Sequence, residues 1–245
     1  MVMSGLYFLS DLHLGLQEPQ AEQEKLRRLD TLFTMIRRDG EALYLLGDIL
    51  DYWMEYRHVI PKGFTRFFCM LSGLVESGVR VTWLAGNHDF WLGRFFDDEL
   101  GVRTLYGLQE VRHDGKCFLI AHGDGLGNGD HGYKLFARFV RNRFNLGLLT
   151  AFHPDLATAL MKHFSLLSRK HKPVDMKSEP IRLLDFATSL ARERDFDYFV
   201  CGHNHAERLQ TVHESGSIYV NLGSWIEGRY PYGIYEQGHF RLAGV

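Results

Sequence analysis

The sequence predicts a layered α/β fold, and three observations predict it. Short apolar runs recur along the chain, amphipathic helical stretches alternate with them, and the runs stop at clusters of Asp, His or Asn. Strands alternating with helices imply sheets covered by helices, not a helical bundle or a sandwich of strands alone.

Each element has its own justification. "LYFLSD" (6–11) is short, apolar and aromatic, and reads as a buried strand. Residues 21–38 set Leu26, Leu29, Phe33 and Ile36 at helical spacing with charges opposite, and Gly40 is a plausible terminator. "ALYLLGD" (42–48) is a second strand, followed by an aromatic loop and a helix near 62–77. "VRVTWLAGNHD" (79–89) and "KCFLIAHGD" (116–124) are further strands with polar ends. A helix over 179–194 leads into "FDYFVCGHNH" (196–205), and "SIYVNLGSW" (217–225) is another strand. No repeat, low-complexity segment or linker divides the chain, so residues 1–245 are expected to form one domain.

Bulk properties narrow the classes. At 245 residues the chain can bury a substantial core, and 45% hydrophobic with 24% charged residues is ordinary for a globular protein. A formal net charge of -2 argues against nucleic acid as a partner, and no protein partner is evident. Cys69, Cys117 and Cys201 show no pairing pattern, and each sits in an apolar run, so buried, reduced thiols are expected. The first residues lack a basic, then apolar, leader, and no stretch approaches the roughly 18 apolar residues of a membrane span. The expected location is the cytoplasm.

One region differs. Residues 131–172 carry eight Lys or Arg against one acid, Asp155, interleaved with Phe139, Phe144, Phe152, Phe164 and many leucines. No convincing strand lies there. An inserted helical element, both apolar and cationic, is expected, as at a membrane interface.

The strand ends carry the chemistry. "SDLHLG", "GDILDYW", "GNHDF", "AHGDG" and "GHNHA" each follow an apolar strand. Ligands bind at the carboxyl ends of strands in α/β sheets. Asp11-x-His13 and His203-x-His205 can each present two side chains to one point, since i and i+2 face the same way in extended chain. Asp48, Asn87 and His122 add a carboxylate, an amide oxygen and an imidazole. Such a set without thiolates suits Mn²⁺, Fe²⁺ or Zn²⁺. Seven ligands are too many for one catalytic ion and about right for two, with Asp48 able to bridge. Two ions roughly 3.5–4 Å apart can clamp a displacement at phosphorus and activate a water.

The order D-x-H, GD, GNHD, H-GD, GH-x-H resembles the calcineurin-like metallophosphoesterases over nearly the whole chain. The resemblance implies a four-layer α/β/β/α sandwich around a di-metal centre. It places Asp11, His13 and His205 on the first metal, Asn87, His122 and His203 on the second, and Asp48 between them. It makes His88 the contact to the scissile phosphate and the proton donor to the leaving oxygen, with Asp89 orienting it.

Within that superfamily, "LYLLGDILDYW", "GNHDFWLGRFF" and "HGDGLGNGDHGYKLFAR" resemble the UDP-2,3-diacylglucosamine diphosphatases of lipid A biosynthesis. The resemblance implies hydrolysis of a nucleotide-linked acylated sugar to UMP and a sugar phosphate, with Mn²⁺ as the first expectation and Fe or Zn as alternatives. It also implies a helical lid at about 131–176 that meets the inner face of the cytoplasmic membrane. Asp130, Tyr133, Lys170, Lys172 and Lys177 become candidate substrate contacts, together with Asn87, His88 and His203. The chain departs from the best-known branch at His88, where that branch has arginine, and at "GHNHAE". The alternatives are a phosphodiesterase or phosphatase for soluble nucleotides, and a scaffold that has lost catalysis. The complete ligand set argues against the scaffold.

Overall fold

The computed structural model describes residues 5–127, 147, 153–156, 159 and 179–245. Its strands read as continuous apolar runs because both faces of each central strand are covered. In β1 (Gly5–Leu9), Leu6 and Phe8 enter one core while Tyr7 and Leu9 enter another. β2 (Gly40–Leu46) divides likewise, with Leu43 and Leu45 on one side and Ala42, Tyr44 and Leu46 on the other. β6 (Lys116–Ile120) and β7 (Tyr198–Cys201) send Phe118, Ile120, Tyr198 and Val200 into the shared middle core.

Three cores therefore separate four layers. The first sheet runs β11-β10-β1-β2-β3-β4, with β3 at Arg80–Leu84, β4 at Arg103–Leu105, β10 at Pro231–Glu236 and β11 at His239–Gly244. β1 to β4 are parallel, and β10 and β11 complete the sheet as an antiparallel hairpin. The second sheet runs β5-β6-β7-β9-β8, with β5 at Gln109–His113, β8 at Arg208–Thr211 and β9 at Ile218–Asn221. Helices α1 (Pro19–Asp39), α2 (Thr65–Glu76) and α3 (Phe95–Leu100) cover the outer face of the first sheet. Helix α4 (Glu179–Glu193) covers the second through Leu183, Ala187 and Ala191. The α/β/β/α sandwich is the fold expected from the sequence.

The strands are shorter than their apolar runs suggested. β3 stops at Leu84 and β7 at Cys201, so each polar cluster lies in a loop beyond its strand. Five strands and a helix, β4, β5, β8, β10, β11 and α3, had no reading in sequence. The hairpin turns on two residues, Gln237 and Gly238, both at positive φ (52° and 82°), a primed turn that suits the strand twist. Cys117 and Cys201 are buried as expected, but Cys69 is exposed, because it falls on the outer side of α2. Among the described residues no helix is long and apolar enough to cross a membrane.

Candidate metal centre

The site forms where five loops leave parallel strands. After β1 and β2 the chain keeps its parallel pairing without strand geometry. The amide of Asp11 donates to the Gly47 carbonyl at 3.1 Å, His13 to Asp48 at 2.9 Å and Leu14 to Ile49 at 2.9 Å. This backbone lays "DLH" directly beside "GDIL". Seven non-glycine residues have positive φ among those described, and five of them are Asp11, His13, Asp48, His203 and His205. Left-handed backbone at non-glycine residues is uncommon and costs on the order of 1–3 kcal/mol each. Here it turns five predicted ligands toward one centre.

Each carboxylate has one oxygen tied down and one aimed inward. Asp11 Oδ2 accepts from Ser10 Oγ at 2.6 Å and from the His203 amide at 2.9 Å. Its Oδ1 is buried with no hydrogen-bond donor, and His205 Nε2 and His13 Nε2 stand 3.2 and 3.7 Å away. Asp48 Oδ1 accepts the His88 amide at 2.8 Å, leaving Oδ2 at 3.4 Å from His122 Nε2 and 3.8 Å from His13 Nε2.

The imidazoles are oriented in the same sense. His122 Nδ1 donates to the Leu46 carbonyl at 2.8 Å, which leaves the lone pair on Nε2. That nitrogen lies 3.0 Å from Asn87 Oδ1 and 3.2 Å from His203 Nδ1. His13 Nδ1 lies 3.4 Å from the Asp51 carboxylate, and its Nε2 is 3.4 Å from His205 Nε2.

The predicted ligands thus gather into two sets, Asp11–His13–His205 and Asn87–His122–His203, with Asp48 Oδ2 between them. Imidazole nitrogens and carboxylate oxygens converge there, and Asp11 Oδ1 has no hydrogen-bond partner. Ligand atoms about 2.1 Å from an ion stand about 3.0–3.4 Å apart in octahedral or tetrahedral geometry. Five of the seven separations fall in that range and the two from His13 Nε2 to the carboxylates, 3.7 and 3.8 Å, exceed it; an orphaned buried carboxylate oxygen is what a cation would satisfy.

The electrostatics point the same way. Burial alone would push the His13 imidazole down, but Asp11, Asp51 and Asp48 outweigh it and raise it to about 9. His122 is raised well above its usual value, Asp48 overcoming burial. Burial opposes ionisation of Asp11 and Asp48 too, yet neighbouring imidazoles hold both well below the ordinary carboxylate range. His203 is pushed down, first by burial and then by the charge on His122. In the metal-free protein, protons on imidazole stand in for missing positive charge.

This gives a pH prediction. A group whose folded pKa is raised contributes stability that is complete below its unfolded value and lost as pH rises through the folded one. His13 places that window between about 6.5 and 9. Metal-free protein should therefore melt at lower temperature as pH rises from 7 to 9. With divalent metal present, the trend should reverse, because cations compete with the same protons. Differential scanning calorimetry at both pH values, with and without Mn²⁺, checks the sign.

His88 sits at the rim, its Nε2 4.0 Å from Asp48 Oδ2 and its ring edge-on to His13 at 4.8 Å. The family resemblance made Asp89 its orienting group; the contacts of Asp89 lie on the backbone and on Trp83. Asp89 accepts from the amides of Gly86 (2.7 Å), Asp48 (3.1 Å) and Ile49 (2.9 Å) and from Trp83 Nε1 (3.1 Å). Those four donors make it the brace between the "GD" and "GNHD" loops. Burial, then the charge of Asp48, push its carboxyl up to about 6. His88 Nδ1 lies instead 3.1 Å from the Asp51 carbonyl and 3.5 Å from its carboxylate. Asp51, which sequence reasoning missed, serves both His13 and His88; the signal available was its spacing three residues after Asp48.

Glycine leaves room for the ligands at Gly202. A Cβ there would strike Ser10 Oγ and Asp11 Oδ2, both held by hydrogen bonds. Gly202→Ala should displace Asp11 and weaken one cation by about 10–100-fold, the scale seen when groups supporting a ligand are disturbed. Equilibrium dialysis against Mn²⁺ checks this. Asp130, Tyr133, Lys170, Lys172 and Lys177 lie outside the described residues, as do Phe139 and Phe144.

Comparison with known proteins agrees with this geometry. The family model described as calcineurin-like phosphoesterase matches residues 6–207, and the chain belongs to that family. It is a metal-dependent hydrolase of phosphoesters or phosphoanhydrides. Among curated proteins it is 34% identical to a UDP-2,3-diacylglucosamine hydrolase of Porphyromonas gingivalis, over 91% of each chain. It is 30% identical to proteins of the same name from Neisseria gonorrhoeae, over 89% of each chain, and Pseudomonas syringae, over 95% of this chain and 93% of the other.

Proposed function

We propose that the chain hydrolyses the diphosphate of UDP-2,3-diacylglucosamine, releasing UMP and an acylated sugar phosphate, with two divalent cations at the centre described above. The observation that carries the substrate is the likeness to relatives of that name, which extends over 91% of both chains in the first of them. Mn²⁺ is the first choice of metal, with Fe or Zn as alternatives. Two such cations would supply Lewis-acid polarisation of a phosphoryl oxygen and a water of lowered pKa.

The chain's own residues do the rest. Asp11, His13 and His205 would hold one cation, Asn87, His122 and His203 the other, and Asp48 both. Oxygen from water joins one phosphorus while the bridging P–O bond breaks. His88, with Nδ1 held by Asp51, presents Nε2 toward the centre and would give its proton to the departing phosphate oxygen. Asn87, His88 and His203 would also contact the substrate phosphate. In this reading residues 131–176 form a lid that takes the acyl chains and contacts the inner face of the cytoplasmic membrane, with Asp130, Tyr133, Lys170, Lys172 and Lys177 on the head group. The eight cations and interleaved phenylalanines of 131–172 support it.

The test is product analysis. Enzyme with Mn²⁺ and UDP-2,3-diacylglucosamine should yield UMP, while soluble UDP-sugars without acyl chains should react far more slowly. Equal rates on both would favour a soluble-nucleotide phosphodiesterase, and cleavage giving UDP would exclude the proposed bond.

A further inference from the structure

Lys25 lies on the same face of α1 as Leu29, Leu32, Phe33 and Ile36, and although charged it is only 1% exposed. A lysine is almost never fully buried unless paired. Its Nζ lies 2.8 Å from the Leu12 carbonyl, 3.2 Å from the His13 carbonyl and 3.2 Å from Glu22 Oε1. An ammonium has three N–H donors, and these are three acceptors. Glu22, one helical turn earlier, accepts the amides of Gly15 at 2.9 Å and Gln17 at 3.0 Å. The pair therefore grips both sides of the loop 12–17, carbonyls through Lys25 and amides through Glu22. Within that loop His13 has φ 45°, a conformation its own side chain disfavours.

We propose that Lys25 is a positioning residue for the first cation, holding His13 in its left-handed conformation by binding the carbonyls on either side of that turn, with Glu22 as its counter-anchor. The proposal rests on the two-cation reading above. Of the two sets, His13 belongs to Asp11–His13–His205, so the effect falls on that cation. The other set, Asn87–His122–His203, hangs from β3, β6 and β7 and does not touch α1 through these bonds.

The experiment titrates metal-free wild type, Lys25→Met and Glu22→Gln with Mn²⁺ by calorimetry, alongside melting of each metal-free protein and electron paramagnetic resonance of each loaded one. Methionine keeps the length of lysine and removes the donors. Wild type should take up two equivalents. Lys25→Met should bind one equivalent as wild type does and the other about 10–100-fold more weakly, the usual consequence of removing support from a ligand. At one to two equivalents its spectrum should show isolated Mn²⁺ where wild type shows a coupled pair. Glu22→Gln should show a smaller loss at the same cation. Two wild-type affinities in Lys25→Met, with a lowered melting temperature only, would assign Lys25 to stability and overturn the proposal, as would equal weakening of both cations. Should Lys25→Met not fold, Glu22→Gln decides: selective weakening upholds the proposal and unchanged affinities overturn it. Fewer than two equivalents in wild type would defeat the two-cation reading itself, and this proposal with it.

Discussion

Asp48→Asn should reduce bound metal from two equivalents to one or fewer and lower turnover by on the order of 10³–10⁴-fold, the scale of losing Lewis-acid stabilisation worth several kcal/mol. Asparagine is the informative substitution because the two oxygens of Asp48 have separate tasks. Oδ1 accepts the His88 amide, and an asparagine oxygen can still do so. Oδ2 faces His122 and His13, and an amide nitrogen placed there cannot ligate. The loop geometry survives while the bridge is lost. Metal analysis after gel filtration reads the outcome, and two ions still bound would remove Asp48 from the bridging position.

His88→Ala should retain both cations and lose about 10²–10⁴-fold in rate on the natural diphosphate, the usual contribution of a general acid. The backbone amide of residue 88 is untouched by the change, so Asp48 keeps its hydrogen bond. The loss should shrink with bis-p-nitrophenyl phosphate, whose leaving group departs without a proton. Equal losses on both substrates would make His88 a phosphate contact, not an acid. Full activity on the natural substrate would remove it from the mechanism. Asp51→Asn should reproduce part of the same leaving-group dependence, because the Asp51 carboxylate lies 3.5 Å from His88 Nδ1.

The sequence by itself determined the layered class, the central strands and the order in which the candidate ligand residues follow them. Those are legible because they are local: an apolar run of strand length followed by Asp, His or Asn announces both a buried strand and a loop at its end. α1, α2 and α4 were equally legible, since helical period reports which face is covered. Edge strands β4, β5 and β8 were not, because half-exposed strands lack the continuous apolar run of a buried one.

What the tertiary structure alone decided is how the site is held. The carboxylate of Asp11 meets the amide of His203 across 192 positions of sequence, and Asp89 braces the amide of Asp48 across 41. No periodicity spans such distances, so neither local pattern nor the motif that named Asp89 could say that its carboxylate holds backbone amides while Asp51 faces the His88 ring. Lys25 shows the same limit. Its spacing puts it on the covered face with Leu29, Leu32 and Ile36, but only the folded chain shows that the loop after β1 offers its ammonium two carbonyls there. Burial of a charge follows from the groups that surround it, and those arrive from elsewhere in the chain.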